Sequence, residues 1–407
     1  MSKFLFAPFM MNLGESQRLS KLAKFLFEQG HEIHVIGERH YSFLFDNDAY
    51  IVHHCSEDEN IYSKERYASF FSLSTDFNFL SEEEIESICS IEREILRKER
   101  FDAVITGYRL SIIASCRLEK TPLIWIISGA THINEIVKNA EGLLPKGRMK
   151  RGNSQLSAKF IEKLITSYSS NVKNWNSYLK KHQGLPFNNA LEMFSGDLNL
   201  VADYSQFYDF KEDSCYKSIG PILIDQVGFC NHIEKGSKKI LLSFGTSFKV
   251  SWVEEFLKTL PTDYQYVLTT CGEELKIPGP HIEVVDFVDF EMVAQDIKFA
   301  IIHGGQGTVY AMASQAIPFI GIPFFNEQFW NIKKFSQLNC AYLINDSNNL
   351  KIEEPINVLE QNYSMFKNNI VELSHNIKNE SEQSLKNAEV EIDKFIKSRK
   401  DQLRYCL

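Results

Sequence analysis

The sequence predicts an α/β protein built from two doubly wound domains with parallel sheets. Short apolar runs rich in β-branched residues alternate with amphipathic stretches along much of the chain, the pattern of parallel strands joined by helices. Two distant segments begin alike, each with a strand-like run, a glycine-bearing loop and a helix. A length of 407 residues exceeds one ordinary core, so two or more domains are expected.

From the N-terminus, KFLFAPFMMNLGESQRLSKLAKFLFEQGHEIHVIGE reads as strand, glycine loop, helix and strand. Leu19, Leu22, Ala23, Leu26 and Phe27 fall on one helical face, and Gly30 stops the helix. FDAVITG and TPLIWIISG follow as strand candidates. KKILLSFGTSFKVSWVEEFLKTLP repeats the opening theme, and YQYVLTTCG, HIEVVDF and KFAIIHGG continue the alternation.

Composition narrows the class. Hydrophobic content of 44% and charged content of 24% suit a soluble globular protein. Eight cysteines are scattered without a CxxC pair, which argues against a zinc site or a disulfide framework and fits a reducing, cytoplasmic setting. No apolar run reaches the length of a membrane span. KFLFAPFMMNLG lacks a cleavage-site pattern and reads as a first strand rather than a signal peptide. A pI near 5.7 without a recognised binding motif argues against nucleic acid. One stretch stands apart: residues 136–183 hold ten Lys/Arg against two Glu, net +8, in a chain of net charge −9. Such a basic flap suits peripheral contact with an anionic membrane surface or an anionic acceptor; a solvated loop and helix is the plainer alternative.

The densest chemistry lies in HGGQGTVYAMASQAIPFIGIPFFNEQFWN, from His303 to Asn331. Ile297 to Ile302 reads as a buried strand. Gly304, Gly305 and Gly307 form a turn, and from Thr308 the spacing of Val309, Met312, Ala313 and Ala316 is helical. A strand, a glycine-rich turn and a helix N-terminus make an anion site, with phosphate the natural ligand. Thr308 adds a hydroxyl, and His303 can donate a hydrogen bond. The alternative is an ordinary βα turn with His303 in the core. AIPFIGIPFF then supplies a second strand, so that Glu327 and Gln328 fall at the same sheet edge. A carboxylate and an amide there suit sugar hydroxyls.

HGGQGT, AIPFIGIP and the Glu-Gln pair resemble the donor-binding signature of family 1 nucleotide-sugar glycosyltransferases of the GT-B fold. The resemblance implies two Rossmann-like domains facing across a cleft: residues 1–220 on the acceptor side, a linker at 221–238, and a donor domain at 239–385. Polar C-terminal helices over about residues 362–400 would cross back, with residues 386–407 packed on the first domain. It also implies roles. His303, Gly305, Gln306, Gly307 and Thr308 would hold the diphosphate, and Thr246 and Ser247 would approach it from the facing loop. Phe290 would border the base, a buried core aromatic being the alternative. Glu327, one methylene longer than the family's usual aspartate, and Gln328 would hold the sugar.

Two departures matter. The family's ribose-binding glutamate, eight residues after the histidine, is Ala311 here. The catalytic histidine of the loop after the first strand is replaced by Glu15, and its aspartate partner would fall near Gly107. Sterol- and antibiotic-type members carry an acid in that loop, so Glu15 is the candidate base; a helix N-terminal carboxylate is the alternative. The function implied is inverting transfer of a hexose from a UDP- or dTDP-linked donor to a hydroxyl acceptor, without cofactor or metal. A catalytically impaired GT-B partner protein and a hydrolysing sugar-nucleotide 2-epimerase are the alternatives.

Overall fold

A computed structural model describes residues 1–37, 41–56, 61, 78–138, 163, 172–209, 212–224, 239–246, 248–324, 326–344 and 351–405. The chain divides into two compact units, Met1–Ile222 with Ser381–Leu407, and Leu223–Glu380.

The first unit holds a sheet of seven parallel strands: β1 (Lys3–Ala7), β2 (Glu32–Ile36), β3 (Ile51–His53), β4 (Ala103–Thr106), β5 (Leu123–Ile127), β6 (Leu198–Val201) and β7 (Tyr216–Ser218). Their order is β3-β2-β1-β4-β5-β6-β7, so the winding reverses between β1 and β4. Helices α1 (Leu13–Glu28), α2 (Glu82–Glu99), α3 (Ser111–Glu119), α4 (Ile133–Lys138) and α5 (Lys173–Lys181) are the α-helices described up to residue 222. Phe4 and Phe6 enter one core cluster while Leu5 and Ala7 enter another. That two-residue alternation explains why β1 reads as a continuous apolar run: both its faces are buried.

The second unit repeats the plan with β8 (Lys239–Ser243), β9 (Tyr266–Thr269), β10 (Ile282–Val285), β11 (Ile297–Ile302), β12 (Phe319–Gly321) and β13 (Ala341–Leu343). All pairings are parallel, in the order β10-β9-β8-β11-β12-β13, and the reversal falls between β8 and β11. Helices α6 (Val250–Leu257), α7 (Phe290–Val293), α8 (Gln306–Ser314), α9 (Asn326–Gln337) and α10 (Glu353–Gln361) connect or flank these strands.

The chain ends in one helix, α11 (Tyr363–Tyr405), 43 residues long, where the sequence suggested several. Ala388, Ile392 and Ile396 from its last part join a core cluster of the first unit. Ser384 Oγ and Asn387 Nδ2 donate to the carbonyls of Pro221 and Ile219 at 3.0 and 3.3 Å. A second difference lies at α1. Gly14 and Glu15 sit in its first turn rather than in a loop, because the Asn12 side chain accepts the Glu15 N–H at 3.2 Å and starts the helix early.

Candidate functional site

In open α/β sheets ligands bind beyond the strand C-termini, where the strand order reverses. In the second unit that place is the edge of β8 and β11. β8 ends in Ser243 and runs through Phe244 into Gly245, whose φ of +67° is left-handed; β11 runs into His303 and then Gly304, φ +88°. Both turns need a residue without a side-chain penalty in that region. Gly304 is also closely packed: a Cβ there would lie 2.4 Å from Ile332 Cδ1 on α9.

Helix α8 begins one residue beyond Gly305, its N-cap, and two residues earlier than the sequence spacing suggested. Its backbone bonding starts with Val309 N–H to the Gly305 carbonyl at 3.0 Å, so the first-turn amides, Gly307 and Thr308 among them, have no intrahelical acceptor. His303, Gly305, Gln306, Gly307, Thr308 and Thr246 therefore share one edge. Gln306 is buried, and Gly305, Gly307, Thr308 and Thr246 are half-buried. Ser247 lies outside the described residues.

His303 is 7% exposed, and its ring is packed between glycines. A Cβ on Gly245 would lie 2.6 Å from its Cε1, and one on Gly305 would lie 2.5 Å from its Nε2. Its Nδ1 stands 3.3 Å from the Ser243 carbonyl. A carbonyl only accepts, so Nδ1 carries the proton and Nε2 keeps its lone pair. Burial pushes the imidazole pKa down to about 4, against the upward pull of the Ser243 carbonyl. The ring is thus neutral near pH 7. The sequence expectation that it donates to phosphate therefore requires a proton on Nε2.

Glu327 and Gln328 lie in the first turn of α9, after β12. The Gln328 Oε1 accepts the Phe324 N–H at 2.8 Å, so any contact to a sugar hydroxyl would go through its Nε2. Glu327 is half-buried. Sequence reasoning missed Asn331. It is 1% exposed, and its Nδ2 donates to the Gly304 carbonyl at 2.9 Å, tying α9 to the glycine turn. Its position three residues after Gln328, on the same helical face, was the available signal. Phe290 opens α7 after β10, where Asp289 caps the helix through Oδ1 at 2.8 and 3.1 Å to the N–H groups of Glu291 and Met292. The phenyl ring is half-buried, so it is neither a sealed core aromatic nor a free one.

In the first unit the corresponding reversal, between β1 and β4, is closed by the chain itself. Glu15 is 1% exposed. Both its carboxylate oxygens lie 3.2 Å from the Phe9 N–H after β1, and Oε1 accepts the Tyr108 N–H after β4 at 3.2 Å. Burial raises its pKa to about 7, with the Phe9 N–H, the Arg18 charge, the Tyr108 N–H and the Ser16 hydroxyl pulling the other way. A Cβ at Gly107 would lie 2.5 Å from Glu15 Cγ, so the glutamate occupies the room that a side chain at 107 would need.

Most of the basic stretch lies outside the described residues, including Lys146, Arg148, Lys150 and Arg151. Among the described residues no helix is long and apolar enough to cross a membrane, and no group of three or more His, Cys, Asp or Glu side chains is placed to hold a metal ion.

Two parallel Rossmann-like sheets define the chain as a GT-B fold. Residues 295–396 match the family model of UDP-glucuronosyl and UDP-glucosyl transferases, which covers the glycine turn, α8 and α9. Among solved structures, the glycosyltransferase of kitacinnamycin has a TM-score of 0.67 at 13% identity, over 96% of this chain and 97% of its own. The calicheamicin glycosyltransferase CalG4 has a TM-score of 0.66 at 14% identity, over 97% and 98% of the two chains. The glycosyltransferase VinC, in complex with dTDP, has a TM-score of 0.62 at 12% identity, over 97% and 100%. No curated protein matches by sequence.

Proposed function

We propose that the protein is an inverting glycosyltransferase that moves a hexose from a nucleoside diphosphate sugar to a hydroxyl acceptor. The observation that carries this reading is the β8/β11 edge, where His303 and the Gly307 and Thr308 amides, which have no intrahelical acceptor, converge; all three lie within the segment that matches the transferase family model. The helix N-terminus and the Gly307 and Thr308 N–H groups stabilise the departing diphosphate, so the chemistry needs no metal. VinC binds dTDP and the family model is named for UDP sugars, so both nucleotides are candidate donors.

Glu327 and the Gln328 amide nitrogen are assigned to the hexose, Thr246, Gly307 and Thr308 to the diphosphate, and Phe290 to the border of the base. Glu15 is assigned as the base. A carboxylate whose pKa is raised to about 7 by burial is better matched to proton transfer near neutrality than an ordinary one. It must leave the Phe9 and Tyr108 amides in part to reach a substrate proton.

Calorimetry with UDP-glucose and dTDP-glucose tests the reading. His303→Ala is expected to weaken donor affinity by about tenfold or more, equivalent to about 1.4 kcal/mol, while circular dichroism shows the fold intact. Unchanged affinity in a folded variant would refute the site. Release of the unchanged hexose from the donor in the absence of acceptor separates a transferase from a non-catalytic partner, which releases none. A 2-epimerase would release a changed sugar.

A further inference from the structure

The glycine turn raises a problem for any anionic ligand. His303 presents a lone pair, not a proton, to the start of α8. Its Nδ1 is committed to the Ser243 carbonyl at 3.3 Å, and its Nε2 lies against Gly305, the helix N-cap. No described residue supplies Nε2 with a hydrogen-bond partner, and the ring is more than nine-tenths buried. A phosphate oxygen brought to the helix N-terminus would therefore meet an imidazole lone pair, and two acceptors facing one another repel.

There are two escapes. The ring can exchange tautomers, moving the proton to Nε2. That turns the Nδ1 lone pair onto the Ser243 carbonyl, which keeps the His303 backbone N–H at 3.3 Å, and leaves Nδ1 a buried acceptor without a donor. Alternatively, Nε2 can take a proton from solvent while Nδ1 keeps its bond. The imidazolium then faces the diphosphate through a charge-assisted bond in a site that excludes water, where such bonds are strongest. Only the second keeps every buried polar group satisfied. A half-turn of the ring would keep its outline between Gly245 and Gly305 but would set Cδ2 in place of Nδ1 against the Ser243 carbonyl, giving up that hydrogen bond.

We propose that a diphosphate ligand binds at this edge together with one proton, which His303 takes up on Nε2 as the ligand arrives. The proposal rests on the nucleotide-sugar reading above and adds to it how affinity responds to pH. No covalent bond changes; the proton comes from the buffer and returns to it when the ligand leaves.

The surroundings allow this. Ser243 and Gly245 from the end of β8 and Gly305 from the start of α8 touch the ring. Gln328, Asn331 and Ile332 of α9 pack against the neighbouring turn. None of these titrates. No charged side chain, Lys249 before α6 and Glu327 on α9 included, shifts the ring; burial does, and the Ser243 carbonyl opposes it. The free protein therefore holds a neutral imidazole, with its pKa lowered to about 4. The α8 dipole also disfavours the cation until negative charge arrives.

The sign follows from linkage. The bound complex holds more protons than the free protein between the free pKa and the higher bound one, so affinity falls as pH rises through that window, by up to about tenfold per pH unit.

The test is calorimetry with UDP-glucose or dTDP-glucose, whose diphosphate is esterified at both ends and does not titrate near neutrality. Binding heats are measured in several buffers of different ionisation enthalpy at about pH 5.5 and about pH 6.5. Uptake approaching one proton per donor is expected at the lower pH. Side-chain nitrogen NMR of the labelled protein reads the ring directly, the His303 signals being those lost in His303→Gln. Expected is a ring protonated on Nδ1 alone when free and on both nitrogens when bound. Binding heats independent of buffer, or a bound ring protonated on Nε2 alone, overturn the proposal. Proton uptake that persists in a donor-binding His303→Gln variant also overturns it. Donor that binds without proton uptake leaves the functional reading standing, whereas no binding of either donor removes both.

Discussion

Glu15 and Gly107 work as a pair. The glutamate carboxylate sits where a side chain at 107 would be, and backbone amides from two neighbouring strand ends hold it. Because its pKa is raised to about 7, the folded protein keeps a proton that the unfolded chain gives up near the ordinary carboxylate value of 4.5. Stability is therefore expected to fall as pH rises from about 4.5 to about 7 and then to level off. Glu15→Gln removes that fall, by an amount on the order of 3 kcal/mol at most. Urea unfolding across this range measures it; a wild type and a variant with parallel profiles would show that the carboxylate is not held as described. The same variant separates the two roles of Glu15. As the base, its loss lowers turnover by about 10²–10⁴-fold. As a clasp between β1 and β4 alone, its replacement leaves turnover within a few-fold and changes only the stability profile.

At the level of elements, α9 decides the shape of the donor edge. Its Ile332 methyl sits against Gly304 and Gly321, its Asn331 holds the Gly304 carbonyl, and its Gln328 holds the Phe324 amide. Asn331→Ala leaves a buried carbonyl unpaired, at a cost of about 1–3 kcal/mol. It is expected to weaken nucleoside diphosphate and nucleotide sugar alike, because it moves the turn that both would use. Gln328→Ala is expected to lower turnover with the sugar donor while barely changing affinity for the free diphosphate. Equal weakening of both ligands would assign Gln328 to the loop instead. The sequence placed the Glu-Gln pair at the right sheet edge, because a strand–helix–strand unit returns both strand ends to one side. It could not place the pair inside a helix: NEQFWN has no strong helix-start signal, and the side-chain contacts that tie α9 to its surroundings are to the Phe324 amide and the distant Gly304 carbonyl.

For the whole molecule, the last helix matters more than its polar sequence suggests. Ala388 and Ile392 are fully buried and Ile396 is 6% exposed, all within the core of the first unit. A chain ending at Glu380 loses these contacts. Each isoleucine contributes about 1.5–3 kcal/mol of burial, so the first unit is expected to lose several kcal/mol while the second, Leu223–Glu380, keeps its core. Limited proteolysis should then cleave residues 1–222 well before 239–380; equal resistance of the two would show that the helix end is dispensable. The buried Glu92–Arg109 pair, 2.7 Å apart and bonded also to Ser111 and Ser115, adds a second internal tie in the same unit.

The sequence by itself determined the two α/β sheets, because strands buried on both faces must be continuous apolar runs and the helices between them must be one-sided. It also located the glycine turn after β11, since only glycine suits its close packing and left-handed backbone. The short strands β6, β7 and β13 were not legible: three or four residues carry too little pattern, and their pairing comes from neighbours distant in the chain. Only the tertiary structure decided which proton His303 carries, because that depends on a carbonyl sixty residues away on β8. Only it decided that Glu15 is buried rather than free, because the amides that hold it belong to two strand ends ninety-nine residues apart. Side-chain protonation is set by what packs around a group, and in this fold those neighbours come from the far side of each strand-order reversal.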